Sequence, residues 1–347
     1  MARRLLHGNT DATNIANAML SNPLSSTTVR APARLHMGFL DLNGSLGRRF
    51  GSLGLALEEL STTVTVRPAE TITARGPEAE RAAGFARQSL AALGIDAGAE
   101  IVVERAIPGH AGLGSGTQLA LVVGTALARL YGVDWPLREM AATLGRGGRS
   151  GIGLGLFEQG GFLVDGGRGG RDEPPTVIAR LEFPVSWRFI LVFDPSFQGL
   201  HGDLEKQAFA NLPRLSEGRS GQLCRLALMQ AMPALVERNV RSFGEAISII
   251  QEIIGDHFAA AQGGRFASPQ VSRALAWLSA NGAAGIGQSS WGPTGFALTD
   301  SETSAHGLAR AARSAFADTG LEFMVCAGRN RGAEVYTENR AALARAG

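Results

Sequence analysis

The spacing of apolar and polar positions predicts strands and helices along most of the chain. Residues 29–41 and 53–67 alternate with a period of two, which indicates antiparallel strands. Asn43-Gly44 lies between them and is a strong signal for a hairpin turn. Residues 78–93 are amphipathic with helical spacing, and the apolar run at 101–103 predicts a short buried strand.

A glycine-rich segment, residues 108–117, joins that strand to an apolar helix predicted at about 116–131. Gly112, Gly114 and Gly116 allow the backbone to turn tightly and to approach a ligand closely. The free N–H groups and the positive dipole end of the helix favour an anion there. Phosphate or pyrophosphate is the predicted ligand; the alternative is an ordinary helix start with Ser115 as its N-cap.

The remaining pattern predicts a second unit that begins near the apolar strand 189–193. Helices are expected at about 220–237, 240–255, 268–280 and 303–318, and a second glycine-rich loop at 285–294. We therefore predict an α+β fold that consists of a loose N-terminal arm and two domains: residues 1–28, 29–184 and 185–347.

Composition excludes several classes of protein. The 347 residues are 45% hydrophobic and carry a net charge of only +2 without a polybasic run, so nucleic acid and anionic membranes are poor partners. No apolar run reaches the roughly 18 residues of a membrane span, and no signal peptide is evident, so we expect a cytoplasmic protein. The only lysine is Lys206, so anions must be bound by backbone N–H groups and arginines.

Both glycine loops resemble those of the GHMP kinase superfamily, whose first loop reads Pro-x-x-x-Gly-Leu-Gly-Ser-Ser-Ala. Gly116 and Thr117 depart from the last two positions of that motif. The resemblance implies a domain like the second domain of ribosomal protein S5, followed by a ferredoxin-like domain. It also implies phosphate binding by a set of residues from both loops: Pro108, Gly112, Leu113, Gly114, Ser115, Gly116, Thr117, Gly287, Ser289 and Ser290.

The resemblance to a kinase is incomplete. Many members of the superfamily place a catalytic aspartate in a Ser-Gly-x-Asp segment, where it orients or deprotonates the attacking hydroxyl. The corresponding segment here is Ser150-Gly151-Ile152-Gly153, with glycine at the aspartate position. The predicted phosphate site is therefore present, whereas the base for phosphoryl transfer is not.

One branch of the superfamily fits that combination. Residues 33–51, 112–118 and 145–167 closely resemble the β-ribofuranosylaminobenzene 5′-phosphate synthase family. The resemblance implies condensation of 4-aminobenzoate or 4-hydroxybenzoate with phosphoribosyl pyrophosphate, with loss of CO2 and pyrophosphate, in tetrahydromethanopterin biosynthesis. It also implies Mg²⁺ as the cofactor and a homodimer.

The candidate catalytic residues of this reaction are Asp41, Arg48, Arg49 and His36. The arginines are suited to neutralising the departing pyrophosphate, and Asp41 to binding Mg²⁺ or lying near the developing cation. The alternatives are a plain hairpin turn, a solvated arginine pair and a half-buried histidine.

Further residues are candidate ligands of the metal ion or of anionic groups of the substrates. Ser115 and Glu158 are possible Mg²⁺ ligands beside Asp41, although Glu158 can equally be a polar helix residue. Arg146 and Arg149 are suited to binding a carboxylate or phosphate, or to surface salt bridges.

Two other functions stay open from the sequence alone. The first is an ATP-dependent kinase of a small metabolite with an unrecognised base. The second is a non-catalytic sensor of phosphate or a nucleotide, which keeps the anion loop and has no catalytic aspartate.

Overall fold

The structure is a computed structural model, and it describes residues 24–170, 173–197, 199 and 212–339. Within these ranges the strands are β1 Leu24–Asp41, β2 Phe50–Ala69, β3 Thr73–Arg75, β4 Gly98–Arg105, β5 Phe162–Asp165, β6 Val177–Leu181, β7 Arg188–Phe193, β8 Gly285–Gln288, β9 Gly295–Thr299, β10 Glu322–Ala327 and β11 Glu334–Asn339. The α-helices are α1 Ala79–Leu93, α2 Ser115–Leu130, α3 Leu137–Thr143, α4 Ile152–Gln159, α5 Glu217–Leu226, α6 Met232–Val236, α7 Val240–Gln262, α8 Pro269–Ala280 and α9 Glu302–Ala315. Ala227–Ala231 forms a π-helical turn between α5 and α6.

The first sheet is built around the long hairpin of β1 and β2. The strand order is β11-β1-β2-β4-β3, and β5 pairs with both β2 and β6. Val29 lies opposite Val64 in the β1–β2 register, and both are fully buried. Every pair in this sheet is antiparallel except β3 with β4. The predicted α+β fold with an antiparallel N-terminal sheet is therefore confirmed.

The ends of the chain differ from the predicted domain organisation. Strand β1 begins at Leu24, earlier than the expected start at residue 29, and residues 1–23 of the predicted arm lie outside the described residues. Strand β11 returns to the first sheet, where Val335 pairs with Val29. The unit predicted at 185–347 thus contributes its last described strand to the N-terminal sheet.

The second sheet has the order β10-β7-β9-β8 and is antiparallel throughout. One hydrophobic cluster joins the two sheets, because Leu35 and Leu55 of the first pack in the same buried core as Phe189 and Phe296 of the second and Phe243 of α7. This shared core packs the two sheets against each other. Within the described part of the chain, no helix is long and apolar enough to span a bilayer.

Candidate active site

Helix α2 begins at Ser115, directly after the first glycine loop. Gly114 precedes it with φ 81°, a left-handed conformation that glycine adopts without strain. The first turn of α2 borders a cavity of about 490 Å³ whose wall includes Gly112, Ser115 and Thr117. Because the first N–H groups of a helix have no partner within the helix, a cavity at this position is suited to an anion.

The two glycine loops are in direct contact. The Ser289 hydroxyl donates a hydrogen bond to the Gly112 carbonyl at 2.8 Å and accepts one from the His36 N–H at 3.0 Å. A Cβ on Gly112 would lie only 2.2 Å from the Ser289 carbonyl oxygen, so only glycine allows this approach. Strand β8 occupies Gly285–Gln288, and the second loop itself is thus shorter than the predicted 285–294.

Four arginines from three separate segments surround the cavity. They are Arg34 of β1, Arg81 of α1, and Arg146 and Arg149 of the loop before α4. Glu78 is the one carboxylate among the described residues of the wall, and it pairs with Arg81 at 2.6 Å. These described residues therefore carry an excess of three positive charges, which suits a polyanion such as pyrophosphate.

Arg146 and Arg81 flank the first turn of α2. A Cβ on Gly116 would lie 2.7 Å from Arg81 Nη2 and 3.4 Å from Arg146 Nη1. The Arg146 guanidinium stacks over the Phe85 ring at 4.9 Å, and burial, together with the nearby Arg81, lowers its pKa. Two like charges held this close are stabilised by an anion between them.

A second cavity of about 190 Å³ adjoins the first, and Arg34, Thr117, Arg149 and Ser290 border both. Gly153 lies in its wall, where a Cβ would meet Thr117 Cγ2 at 3.2 Å. The glycine at the kinase aspartate position thus lies beside the anion loop. Among the described residues lining this cavity there is no carboxylate.

His36 borders the second cavity and is only 2% exposed. Its ring lies 4.7 Å from that of Phe39, and neither ring nitrogen has a hydrogen-bond partner among the described residues. Burial, reinforced by the positive charges of Arg34 and Arg149, holds the pKa of His36 well below its usual value. The imidazole is therefore neutral at pH 7, with one donor and one acceptor nitrogen.

Asp165 supports the site and was not predicted from the sequence. Its buried carboxylate accepts hydrogen bonds from the Gly151 N–H at 2.9 Å, the Ser150 hydroxyl at 3.1 Å and the Gly167 N–H at 2.9 Å. Burial raises the pKa of Asp165, and this effect is larger than the opposing effect of the hydrogen bonds, which lower it. These bonds fix the end of the loop that carries Arg146 and Arg149. The available signal was an aspartate directly after the apolar strand 162–164.

The structure places the candidate catalytic residues Asp41 and Arg48 outside the two cavities around α2. Asp41 Oδ1 accepts hydrogen bonds from the N–H groups of Asn43 at 2.7 Å and Gly44 at 3.1 Å, which is the geometry of a turn cap. Arg48 donates to the carbonyls of Gly166 and Gly167 at 2.7 and 2.8 Å. Neither residue lines the two cavities around α2.

Arg49 also lies outside the walls of these cavities. Its guanidinium stacks on the Phe50 ring at 5.4 Å, and its charge contributes to the lowered pKa of His257. The catalytic assignments of Asp41, Arg48 and Arg49 stay predictions, and the contacts of the first two are those of structural residues.

The three predicted metal ligands do not converge. Glu158 is exposed and lies in a cavity beside Arg129 and Gly132, at the far end of α2 from Ser115. A helix of 16 residues is roughly 24 Å long, so Glu158 cannot share an ion with Ser115. No cluster of three or more His, Cys, Asp or Glu side chains is present in the described parts of the chain. The described residues therefore form no preassembled Mg²⁺ site of protein ligands alone.

The other predicted phosphate-binding residues divide into two groups. Gly112, Gly114, Ser115, Gly116, Thr117 and Ser290 line the larger cavity. The rest do not line it: Leu113 is buried in the core, Ser289 lies behind Gly112, Gly287 packs against Gln251 and Phe296, and Pro108 is exposed before the loop.

Comparison with known proteins agrees with this geometry. Residues 79–161 match the model of the GHMP kinase N-terminal domain, and residues 231–318 match that of the GHMP kinase C-terminal domain. Homoserine kinase from Cytophaga hutchinsonii superposes with a TM-score of 0.65 at 18% identity, covering 90% of this chain and 98% of that one. A structure described as MDDEF in complex with MVAPP, AMPPCP and magnesium has a TM-score of 0.63 at 16% identity, covering 91% and 100%. The predicted GHMP kinase fold is thus confirmed.

A curated relative gives the narrower assignment. The β-ribofuranosylphenol 5′-phosphate synthase of Archaeoglobus fulgidus is 37% identical over 321 residues, which cover 88% of this chain and 98% of the relative. The same family was predicted from the stretches at 33–51, 112–118 and 145–167. The chain belongs to the β-ribofuranosylphenol 5′-phosphate synthase family.

Proposed function

We propose that this protein condenses phosphoribosyl pyrophosphate with 4-hydroxybenzoate to give β-ribofuranosylphenol 5′-phosphate, CO2 and pyrophosphate. The observation that carries the proposal is the arginine-lined cavity at the start of α2. It adjoins a second cavity in which glycine occupies the kinase aspartate position and no described lining residue is a carboxylate. Anion binding is thereby combined with the absence, among these described residues, of a carboxylate base for phosphoryl transfer. The reaction belongs to tetrahydromethanopterin biosynthesis.

The printed name of the relative bears on the para substituent. The sequence alone left 4-aminobenzoate and 4-hydroxybenzoate open. A synthase named for a ribofuranosylphenol forms a product with a hydroxyl on the ring. We therefore assign 4-hydroxybenzoate as the substrate of this chain and treat 4-aminobenzoate as the alternative.

The arginines around the larger cavity would assist departure of the leaving group. Cleavage of the bond between the sugar C1 and pyrophosphate leaves oxocarbenium character on the sugar and places negative charge on the departing oxygen. Arg81 and Arg146 beside Gly116 are positioned to stabilise that charge, together with the helix N–H groups. The electrophile is then generated next to the second cavity.

The second cavity would hold the aromatic substrate. His36 and Phe39 border it, and Arg34 and Arg149 lie on the side shared with the anion cavity. A benzoate whose ring contacts Phe39 can direct its carboxylate-bearing carbon towards the sugar. Attack by that carbon forms the C–C bond, and loss of CO2 restores aromaticity without a redox cofactor.

The proposed reaction uses Mg²⁺ that is bound by the substrate rather than by a site made of protein ligands alone. Mg²⁺ commonly binds through substrate phosphates and water with few protein ligands, and the Ser115 and Thr117 hydroxyls line the cavity where the diphosphate would lie. We propose that the ion arrives bound to the donor. We also propose a cytoplasmic homodimer, which light scattering of the purified protein would test.

The experiment is product formation without ATP. Incubation with phosphoribosyl pyrophosphate and 4-hydroxybenzoate, with and without Mg²⁺, is expected to yield the ribosylated phenol by mass spectrometry. ATP-dependent phosphorylation of a metabolite alcohol, with no such product, would support the kinase instead. Binding of phosphoribosyl pyrophosphate without turnover of any substrate would support the sensor.

A further inference from the structure

The main chain of His36 is held on both sides by the second glycine loop. Its N–H donates to the Ser289 hydroxyl at 3.0 Å, and its carbonyl accepts from the Ser290 N–H at 3.3 Å. The β1–β2 register shifts between His36 and Gly38, so a bulge lies directly after the histidine. Bulges re-aim side chains beside functional sites. The position of this imidazole is therefore fixed by the same contacts that join the two loops.

The ring lies between two spaces. One is the cavity of about 190 Å³ that adjoins the anion site, and the other is a small pocket lined by Gln251, Phe258 and Gln288. Phe39 borders both, and its ring lies 6.2 Å from that of Phe258. The histidine thus lies beside the aromatic ring of Phe39, in a wall shared by both spaces next to the predicted sugar site.

The hydrogen-bonding capacity of this ring is unused in the described part of the chain. Both nitrogens are buried without a partner. A buried polar group without a partner lowers stability, so a substrate group that forms a hydrogen bond with the ring removes that cost. The charged side chains lining the two spaces are Arg34, Arg146, Arg149 and Arg265, and no carboxylate is among their described lining residues.

We propose that the His36 imidazole binds the para-hydroxyl of the aromatic substrate and accepts its proton as the new C–C bond forms. The inference rests on the proposed function. It adds the residue that distinguishes a phenol from other aromatic acids, and it assigns that residue one proton transfer.

In the first step, the ring carbon that bears the carboxylate bonds to the sugar C1 while the bond between C1 and pyrophosphate breaks. The para-hydroxyl thereby becomes a protonated ketone. Because a protonated ketone is strongly acidic, even a weakly basic neutral imidazole takes this proton. Loss of CO2 then returns its electron pair to the ring as phenoxide, and the imidazolium gives the proton back.

An ionised phenol has no proton to give up, and this provides the test. 3,5-Difluoro-4-hydroxybenzoate carries a more acidic hydroxyl and is largely ionised at pH 8, whereas 4-hydroxybenzoate is not. Replacing a general base typically lowers the rate about 10²–10⁴-fold. We expect the kcat of His36→Gln to fall about 10²–10⁴-fold with 4-hydroxybenzoate. With the difluoro substrate, the fold-decrease in kcat should be less than about a tenth as large.

The comparison is made as the ratio of wild type to variant for each substrate, which removes the weaker nucleophilicity of the fluorinated ring. His36→Asn is the second variant, because Asn and Gln each retain polarity near one ring nitrogen, and circular dichroism checks that each is folded. His306→Gln, at an exposed position of α9, is the control and should show no loss with either substrate.

Each outcome has a separate meaning. A selective loss supports the role of His36. An equal loss with both phenols in folded variants, or no loss at all, overturns it and leaves His36 a structural residue. If the wild type converts neither phenol, the proposed function itself fails.

Discussion

Gly114 lies directly against the side chain of Arg34: a Cβ on Gly114 would be 2.6 Å from Arg34 Cγ. The same arginine donates through Nη1 to the Gly112 carbonyl at 2.8 Å, and its own N–H donates to the Leu113 carbonyl at 3.0 Å. The glycine loop is therefore bound to β1 through one residue. Any side chain at position 114 has to displace that residue.

Gly114→Val is expected to weaken binding of phosphoribosyl pyrophosphate at least about tenfold, because it displaces a cationic group whose hydrogen bonds are worth about 1.5–3 kcal/mol. Gly94→Val is the matched control: Gly94 also has positive φ, at 65°, but a Cβ there meets nothing within 4 Å. Both variants carry the strain of a left-handed residue, about 1–2 kcal/mol. Calorimetric titration of folded protein measures the affinity, and equal affinities of the two variants would remove Arg34 and Gly114 from the site.

Arg146→Ala should raise the KM for phosphoribosyl pyrophosphate by about 10–100-fold, since charge-assisted hydrogen bonds contribute about 1.5–3 kcal/mol. The dependence of KM on salt should also become shallower, because one positive charge is lost. Arg129→Ala, at the exposed end of α2 that lies away from the cavity, removes one positive charge as well and should leave both quantities unaltered. Steady-state kinetics at two ionic strengths measures the KM and its dependence on salt. Similar changes of the KM in both variants would show that the effect comes from the net charge of the protein and not from the position of Arg146.

Asp41→Asn separates the turn role from the catalytic role that the sequence suggested. Asn keeps an oxygen that accepts from the Asn43 and Gly44 N–H groups, so the turn should persist and turnover should stay within about threefold of wild type, since surface changes are worth about ±0.5 kcal/mol. A residue that stabilises charge in the reaction would instead cost about 10²–10³ in rate. The turnover of Arg48→Ala and Arg49→Ala is measured in the same way. A hundredfold loss of turnover in any of the three variants, with unchanged thermal stability, would show that the substituted residue is catalytic.

Stability should fall on mild acidification because His36 is buried in its neutral form. Its folded pKa lies below the unfolded value of about 6.5, so its contribution is complete above that value and is lost as the pH falls through the folded pKa. The pKa of half-buried His257 is also lowered and adds to the same trend. In urea unfolding at pH 7.5 and 5.5, wild type should lose more stability than His36→Gln, and His306→Gln should behave as wild type. An equal loss in all three proteins would show that His36 is not held neutral by the fold.

The parts of this site that the sequence predicts are those encoded locally. The glycines at 112, 114 and 116 directly precede an apolar helical pattern, and that order alone places an anion site at the start of α2. The second glycine loop and the glycine at position 153 were recognised from the family resemblance. Their contact with the first loop was not predicted and is seen in the structure.

The parts that the sequence does not predict depend on contacts between distant residues. Arg34, Arg81 and Arg146 converge from separate elements, and a single arginine in a strand or helix looks like an ordinary surface charge. The pairing of β11 with β1 joins residues about 300 positions apart along the chain, beyond any periodic signal. Glu158 was predicted as a possible Mg²⁺ ligand, and the structure places it beside Arg129 and Gly132. Helical spacing predicts its neighbours on α4 but not the way α4 packs against α2.

The proposed reaction is a condensation that is coupled to decarboxylation and requires no ATP. It can be tested with 4-hydroxybenzoate labelled with ¹⁴C in the carboxyl group, phosphoribosyl pyrophosphate and Mg²⁺, with ATP omitted. We expect labelled CO2 and pyrophosphate in equal amounts, and neither product when the donor is left out. Retention of the label in the aromatic acid, or turnover that appears only when ATP is added, would show that the protein does not catalyse this condensation.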